Sequence, residues 1–231
     1  MADPALMQIG LNIVWSHMDT QQSHEVLRRY TDLPALLYLL RHKKITLLDP
    51  KSWDDTNDSY YLLKYKEKKA LKTVLALCLT GAEETYHHWR IFSHGSAGVC
   101  LNFDRPALIE ALTAVRGMAL RDVTYRKVRE ARNRATPPGI AELPFLKRAG
   151  FVAEAEYRAV YESKTKTLSY LDVPIRLDSI VKVSLSPWLN KRLSKSVKNA
   201  IYAIPGCESL EVQRSTLVGN SEWKKLADEA T

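Results

Sequence analysis

Between Thr85 and Asp104 the chain reads TYHHWRIFSHGSAGVCLNFD. This places His87, His88, Trp89, Arg90, Phe92, Ser93 and His94 just before an alternating apolar stretch, Val99 to Phe103. Side chains that exchange protons or hydrogen bonds, set on a loop entering a core strand, are a common way to line a pocket. His87 and His88 are adjacent, so on an extended backbone they face opposite sides and only one can serve a given site. A second group, FLKRAGFVAEAEYR, carries Lys147, Arg148, Glu154, Glu156 and Arg158. On a strand Glu154 and Glu156 share one face, Arg158 continues it, and Tyr157 takes the other. Two carboxyls side by side repel unless a cation or donor lies between them, and one then acquires a raised pKa, as acid–base chemistry requires. The alternative is that Arg158 simply neutralises the pair.

Two further groups complete the set. Trp53-Asp54-Asp55-Thr56-Asn57-Asp58 holds three carboxylates in a turn, as helix caps or as oxygen ligands for a metal-assisted hydrolase. Its spacing lacks the calcium-loop pattern and terminal Glu. Arg28-Arg29-Tyr30 lies just ahead of Pro34. No glycine-rich phosphate loop, dinucleotide fingerprint or nucleophile elbow occurs, and nine glycines in 231 residues argue against a glycine cradle. The three cysteines, Cys78, Cys100 and Cys207, are far apart and read as reduced core residues, with no zinc spacing.

The elements that must position these groups follow from pattern and punctuation. Thr31 or Asp32 caps a helix with Pro34 in its first turn, and the basic run Arg41 to Lys44 closes it. Ile45 to Leu48 and Thr73 to Leu79 read as strands, with a basic helix, Ser59 to Lys69, between them. Asp104 caps a helix from Arg105 to Val115, ended by Gly117. Beyond it, Met118 to Tyr125 is extended, Glu142 to Val152 helical, and Ala155 to Glu162 and Ile180 to Leu185 are strands. A striped helix (Leu193, Val197, Ile201) and a closing strand, Leu210 to Thr216, end the pattern. Strands and helices mix without strict βαβ alternation. The expected class is therefore α+β, a single domain over residues 24–231 with a central, largely antiparallel sheet, preceded by an extension over residues 1–23.

Composition is that of a globular protein, 45% hydrophobic and 26% charged. No apolar run reaches bilayer length and no secretory leader is apparent, so a cytoplasmic protein without membrane partners is expected. The formal charge of +8 favours polyanions, although the basic clusters (64–72, 126–134 and 191–198) fall on expected helices, where such charges usually form a solvated face.

Taken in order, the four groups resemble a bacterial and phage family of domains of unknown function. Its members carry an aromatic-basic element (here Arg29-Tyr30) and a P-x-x-[FW]-[ND]-D turn (Pro50 to Asp58). A W-x-x-[FY]…G-x-C-x-x-F core follows (Trp89, Phe92, Gly98 to Phe103), then E-x-E-x-R (Glu154 to Arg158). The tail, Ile180 to Pro187 and Val212 to Ser215, is also similar. Thr56 replaces the family's usual Pro, and Ile91 replaces the His of a W-x-H-Y sequence, leaving His88 or His94 as candidate substitutes. The layout in turn resembles the ADP-ribosyltransferase-like fold. That resemblance implies NAD as substrate, Arg29 as the early basic residue, Phe92 or Ser93 in the middle position, and Glu156 as the late acid with Glu154 beside it. Tyr30, Trp89, Phe92 and His94 would border the NAD site. It implies ADP-ribosyl transfer to a nucleic acid or protein, or NAD hydrolysis, in a toxin or antiviral-defence setting. A basic binding module without catalysis stays open, as does the metal-assisted hydrolase.

Overall fold

The computed structural model describes residues 25–93 and 95–230. The expected extension through residue 23 lies outside them, as does His94. Eleven strands and seven α-helices are found among the described residues.

Strand β1 (Val26–Asp32) leads into helix α1 (Leu33–His42), whose N-terminus is capped as expected: the Asp32 carboxylate accepts from the Ala35 N–H at 2.8 Å. Strand β2 (Lys44–Leu48) and helix α2 (Thr56–Lys68) follow, then the strand β3 (Thr73–Thr80). Helix α3 (Tyr86–Phe92) precedes strand β4 (Gly98–Asp104) and helix α4 (Arg105–Thr113). The His-rich segment expected to be a loop is thus largely helical. Thr85 is its N-cap, accepting from the His88 N–H at 3.1 Å. Strands β5 (Met118–Asp122) and β6 (Thr124–Arg126) and the short helix α5 (Val128–Arg132) come next.

The helix expected over Glu142 to Val152 is not formed. Two 3-10 segments, Ile140–Phe145 and Ala149–Glu154, flank the short strand β7 (Leu146–Arg148) instead. Pro144, which cannot donate to a helical ladder, sits inside the first. Strands β8 (Glu156–Ser163), β9 (Tyr170–Pro174) and β10 (Ile180–Leu185) follow, then helix α6 (Lys191–Tyr202), strand β11 (Val212–Arg214) and helix α7 (Ser221–Asp228).

One nine-stranded sheet organises the chain in the order β11-β10-β4-β1-β3-β2-β9, with β8 and β5 joined to the free edge of β3. All its pairings are antiparallel except β10 with β11. This is the α+β, largely antiparallel single domain expected from the sequence. The alternation of β3 and β8 separates the two faces. Leu75, Leu77, Leu79, Tyr157, Ala159 and Tyr161 enter the main core, together with Leu36 and Leu40 of α1 and Leu108 of α4. On the opposite face Val74, Ala76 and Val160 pack with Leu62 and Tyr65 of α2. Farther along that second face stand Cys78, Thr80, Glu156 and Arg158, and there the apolar packing gives way to charge.

Candidate functional site: a charged and aromatic cleft

Arg158 is fully buried, an unfavourable position for a guanidinium unless every donor has a partner. All five N–H donors are used. Nε and Nη2 donate to the two Glu156 oxygens at 2.7 and 2.8 Å, and Nη1 and Nη2 to the two Asp58 oxygens at 2.8 and 2.7 Å. Nη1 also reaches the Pro144 carbonyl at 2.8 Å. The Trp53 ring covers the guanidinium, its centroid 5.0 Å from Cζ. Beside this bidentate pair of forks, Lys147 Nζ bonds Glu154 at 2.6 Å and lies 3.3 Å from Glu156 and 3.4 Å from Asp58. Three carboxylates and two cations, all buried or nearly so, form one network of net charge −1.

The network divides the two acids. Burial by itself raises the Glu156 carboxyl, but the charge and hydrogen bonds of Arg158, with Lys147 and the Cys78 thiol, overcome it and hold the group down to about 2. Burial raises Glu154 above its ordinary value, and Lys147 only partly offsets this. Lys147 and Arg158, pulled down by burial, are lifted above their usual ranges by the surrounding carboxylates. Glu156 is therefore ionised at any physiological pH, while Glu154 is the acid held less firmly in its charged form.

These groups border a cleft of about 740 Å³. Cys78 to Thr80 of β3 and Glu156 form its floor, and Arg28 and Tyr30 of β1 one wall. His88, Ile91 and Phe92 of α3 stand on another side, with Trp53 to Asn57, Lys147, Phe151 and Glu154 opposite. Arg28 is held by the Ala82 carbonyl at 2.8 Å and Glu83 at 2.6 Å. The His88 ring stacks on Tyr30 (centroids 5.4 Å apart, planes 18° from parallel), with Phe92 tilted against it at 5.8 Å. Aromatic faces, a guanidinium and an ionised carboxylate thus converge on one volume, as in a site for a polar ligand with a planar ring.

Of the residues expected at a site, Glu154, Glu156, Tyr30 and Phe92 meet in this cleft. Three do not. Arg29 points to the other face of β1, the side on which Leu27 joins the main core, because alternation gives the cleft to Arg28 and Tyr30. Its guanidinium is lowered by burial to about 10. Trp89 is wholly buried behind Tyr30, ring edge to face at 5.2 Å, and its indole N–H donates to Glu84 at 2.6 Å. Ser93 closes α3 by donating to the Trp89 carbonyl. Trp89 and Ser93 thus serve the fold rather than the cleft wall. The acidic turn also separates: Asp55 caps α2, accepting from the Asn57 N–H at 3.0 Å, Asp58 turns inward to Arg158, and Asp54 stays at the cleft lip. No group of three His, Cys, Asp or Glu among the described residues is arranged to hold a metal. Cys78, expected in the core, is instead exposed on the cleft floor beside Glu156, and burial of its surroundings raises its thiol pKa. Arg28 borders the cleft where Arg29 was expected, and Asp58, read with the acidic turn as a cap or metal ligand, serves Arg158 instead, as does Trp53 of the same turn.

No sequence profile of a known protein family matches the chain, and no curated protein matches it. Among solved structures it is similar to DarT of Thermus sp. 2.9 in complex with ADP-ribosylated ssDNA. The identity is 11% and the TM-score 0.43, over 83% of this chain and 94% of that one. DarT of the same organism with carba-NAD+ and with NAD+ gives TM-scores of 0.42 at 11% identity, over 83% of this chain and 95% of those. Likeness at that level carries no argument about what this cleft does, which rests on its own side chains. No helix among the described residues is long and apolar enough to cross a membrane.

Proposed function

We infer that the protein cleaves the N-glycosidic bond of NAD and transfers the ADP-ribosyl group to an acceptor, or to water. The observation that carries this reading is the meeting, in one cleft, of an ionised Glu156 with the aromatic faces of Tyr30 and Phe92 and the guanidinium of Arg28. The chemistry needs these types. When the bond between nicotinamide and ribose breaks, the electron pair leaves with the neutral ring and positive charge develops on the sugar. A carboxylate locked in its charged form stabilises that charge without reorganising. Arg28 suits the diphosphate, and the aromatic faces suit the planar rings. Glu154, with its raised affinity for a proton, is the group suited to accept one from the attacking hydroxyl, amine or water.

As acceptor we favour nucleic acid. On the surface of α3, Arg90 lies over both Trp188 (4.3 Å) and Tyr86 (5.1 Å), and Lys191, Arg192, Lys195 and Lys198 follow on α6. A cation-and-aromatic platform next to a basic helix suits stacked bases and a phosphate backbone. The same surface would serve a non-catalytic binding module, so the experiment must separate the two. Purified protein incubated with NAD, alone and with DNA, RNA or lysate, should release nicotinamide, and Glu156→Gln should abolish release while circular dichroism and melting show a folded protein. Unchanged release by E156Q would refute the assignment. Salt-sensitive nucleic-acid binding with no release under any condition would leave the binding module.

A further inference from the structure

His88 is 1% exposed, yet it borders the cleft and touches neither of the carboxyl groups. Its partners lie along one line. Nδ1 is 2.6 Å from the Thr85 hydroxyl, and Nε2 is 3.3 Å from the backbone carbonyl of Glu154. Counting protons decides the tautomer. Thr85 Oγ already accepts the His88 backbone N–H, so its single hydrogen is free to go to Nδ1. Nδ1 is then the acceptor and Nε2–H donates to Glu154. The other tautomer would set the Nε2 lone pair against a carbonyl oxygen, and a cationic ring would leave the Thr85 hydrogen without its acceptor. Arg28 and Tyr30 from β1 and His87 from the same helix are the other titratable groups near the ring, and none supplies a negative charge to favour the cation.

The Glu154 carbonyl occupies a special place. It also accepts the Thr80 hydroxyl at 2.6 Å, and the next residue, Ala155, turns through the left-handed region (φ 41°). That turn aims Glu154 at Lys147 and starts β8 with Glu156 facing Arg158. We propose that His88, as a neutral Nε2–H imidazole, is a positioning residue that fixes the turn carrying both acids. The proposal deepens the NAD reading and rests on it for its kinetic test. A donor is required at that point, not a base. Gln, whose side chain offers an NH2 group to donate and a carbonyl oxygen to accept, should substitute in part; Ala should not.

The test compares His88→Gln with His88→Ala in nicotinamide release. H88A should lower kcat by roughly tenfold or more with little change in KM, since displacement of the acids costs rate rather than ground-state binding. H88Q should restore a large part of the kcat that H88A loses, because it returns the donor to the Glu154 carbonyl although not the ring stacked on Tyr30. Nitrogen-15 spectra of the wild-type ring should report the Nε2–H tautomer, neutral at neutral pH. A Nδ1–H tautomer, or a folded H88A with unchanged kcat, would overturn the proposal. If NAD proves not to be the substrate, carbon-13 titration of the Glu154 carboxyl still decides. Its midpoint should differ between the wild type and H88A, and identical curves would refute the positioning role. If H88A does not fold, the tautomer and an inactive H88Q remain able to refute it.

Discussion

Replacing Arg158 by Met should destabilise the protein and make its stability rise more steeply toward acid pH. In the wild type Glu156 is held from its ordinary 4.5 to about 2 in the native state. At about 1.4 kcal/mol per unit, that pairing contributes roughly 3 kcal/mol at neutral pH. Because the folded pKa is depressed, this contribution is complete above about 4.5 and is lost as pH falls through about 2. Met fills much of the same volume but leaves three buried carboxylates with Lys147 alone, and orphans the Pro144 carbonyl. Removing one side of a buried ion pair costs about 3–5 kcal/mol. For a chain of this length that is roughly 6–20 °C in Tm. Burial, no longer opposed by Arg158, then pushes Glu156 upward, as it already does Glu154. The variant should therefore gain more stability than the wild type as pH falls from 7 toward 4, since in the wild type Glu154 alone of the two acids favours the acid side and Glu156 adds no slope above about 4.5. Urea denaturation across that range measures both slopes. A variant within 1 kcal/mol of wild type at neutral pH, or one with an unchanged slope, would refute the network as described. Should R158M not fold, Arg158→Lys, which keeps one charge but not the two forks, should show the loss in reduced form.

Two further outcomes are expected. Ala155→Gly should raise stability by about 0.5–1 kcal/mol, because φ 41° strains a residue with a Cβ and glycine relieves it, as chemical denaturation would show. Under native conditions a small maleimide should modify Cys78 and spare the buried Cys100 and Cys207; reaction should quicken as pH rises toward the elevated thiol pKa, and peptide mapping would identify the site.

Much of the fold was readable from pattern. Ile180–Leu185 forms as a strand over the residues expected, Asp32 and Asp104 cap as their chemistry suggests, and the β-branched run from Thr73 becomes the strand at the centre of the molecule. The misses have physical causes. Strand β1 contains two consecutive arginines, and alternation cannot tell which faces the cleft until its neighbours are known; that choice moved the site from Arg29 to Arg28. The segment Tyr86–Phe92 is only seven residues long, too short for a helical stripe to show. Asp58 lies 100 residues from Arg158 in the chain, so no local spacing could pair them. Glu154 and Glu156 both reach Lys147, but not as neighbours on one strand face: Glu154 ends a 3-10 segment, the turn at Ala155 intervenes, and β8 begins only at Glu156, so the two differ in partners and acidity.

The position of β3 also bears on how the cleft is held together. It is paired with β8 along its whole length, from Thr73 to Thr80, while its other edge meets β1 at the pair Arg28 and Thr80 and β2 at the pair Leu48 and Ala76. Parting β3 from β8 would mean tearing a full ladder. The cleft is covered by shorter pieces: the turn bearing Trp53 to Asp55 with the first residues of α2, and the 3-10 segment bearing Phe151. Trp53 lays its ring on the Arg158 guanidinium, and Asp58, just beyond the turn, takes two hydrogen bonds from the same group. One buried guanidinium thus pins both the floor, through Glu156, and the cover, through Asp58 and Trp53, so a change at Arg158 is felt on both sides of the cleft at once.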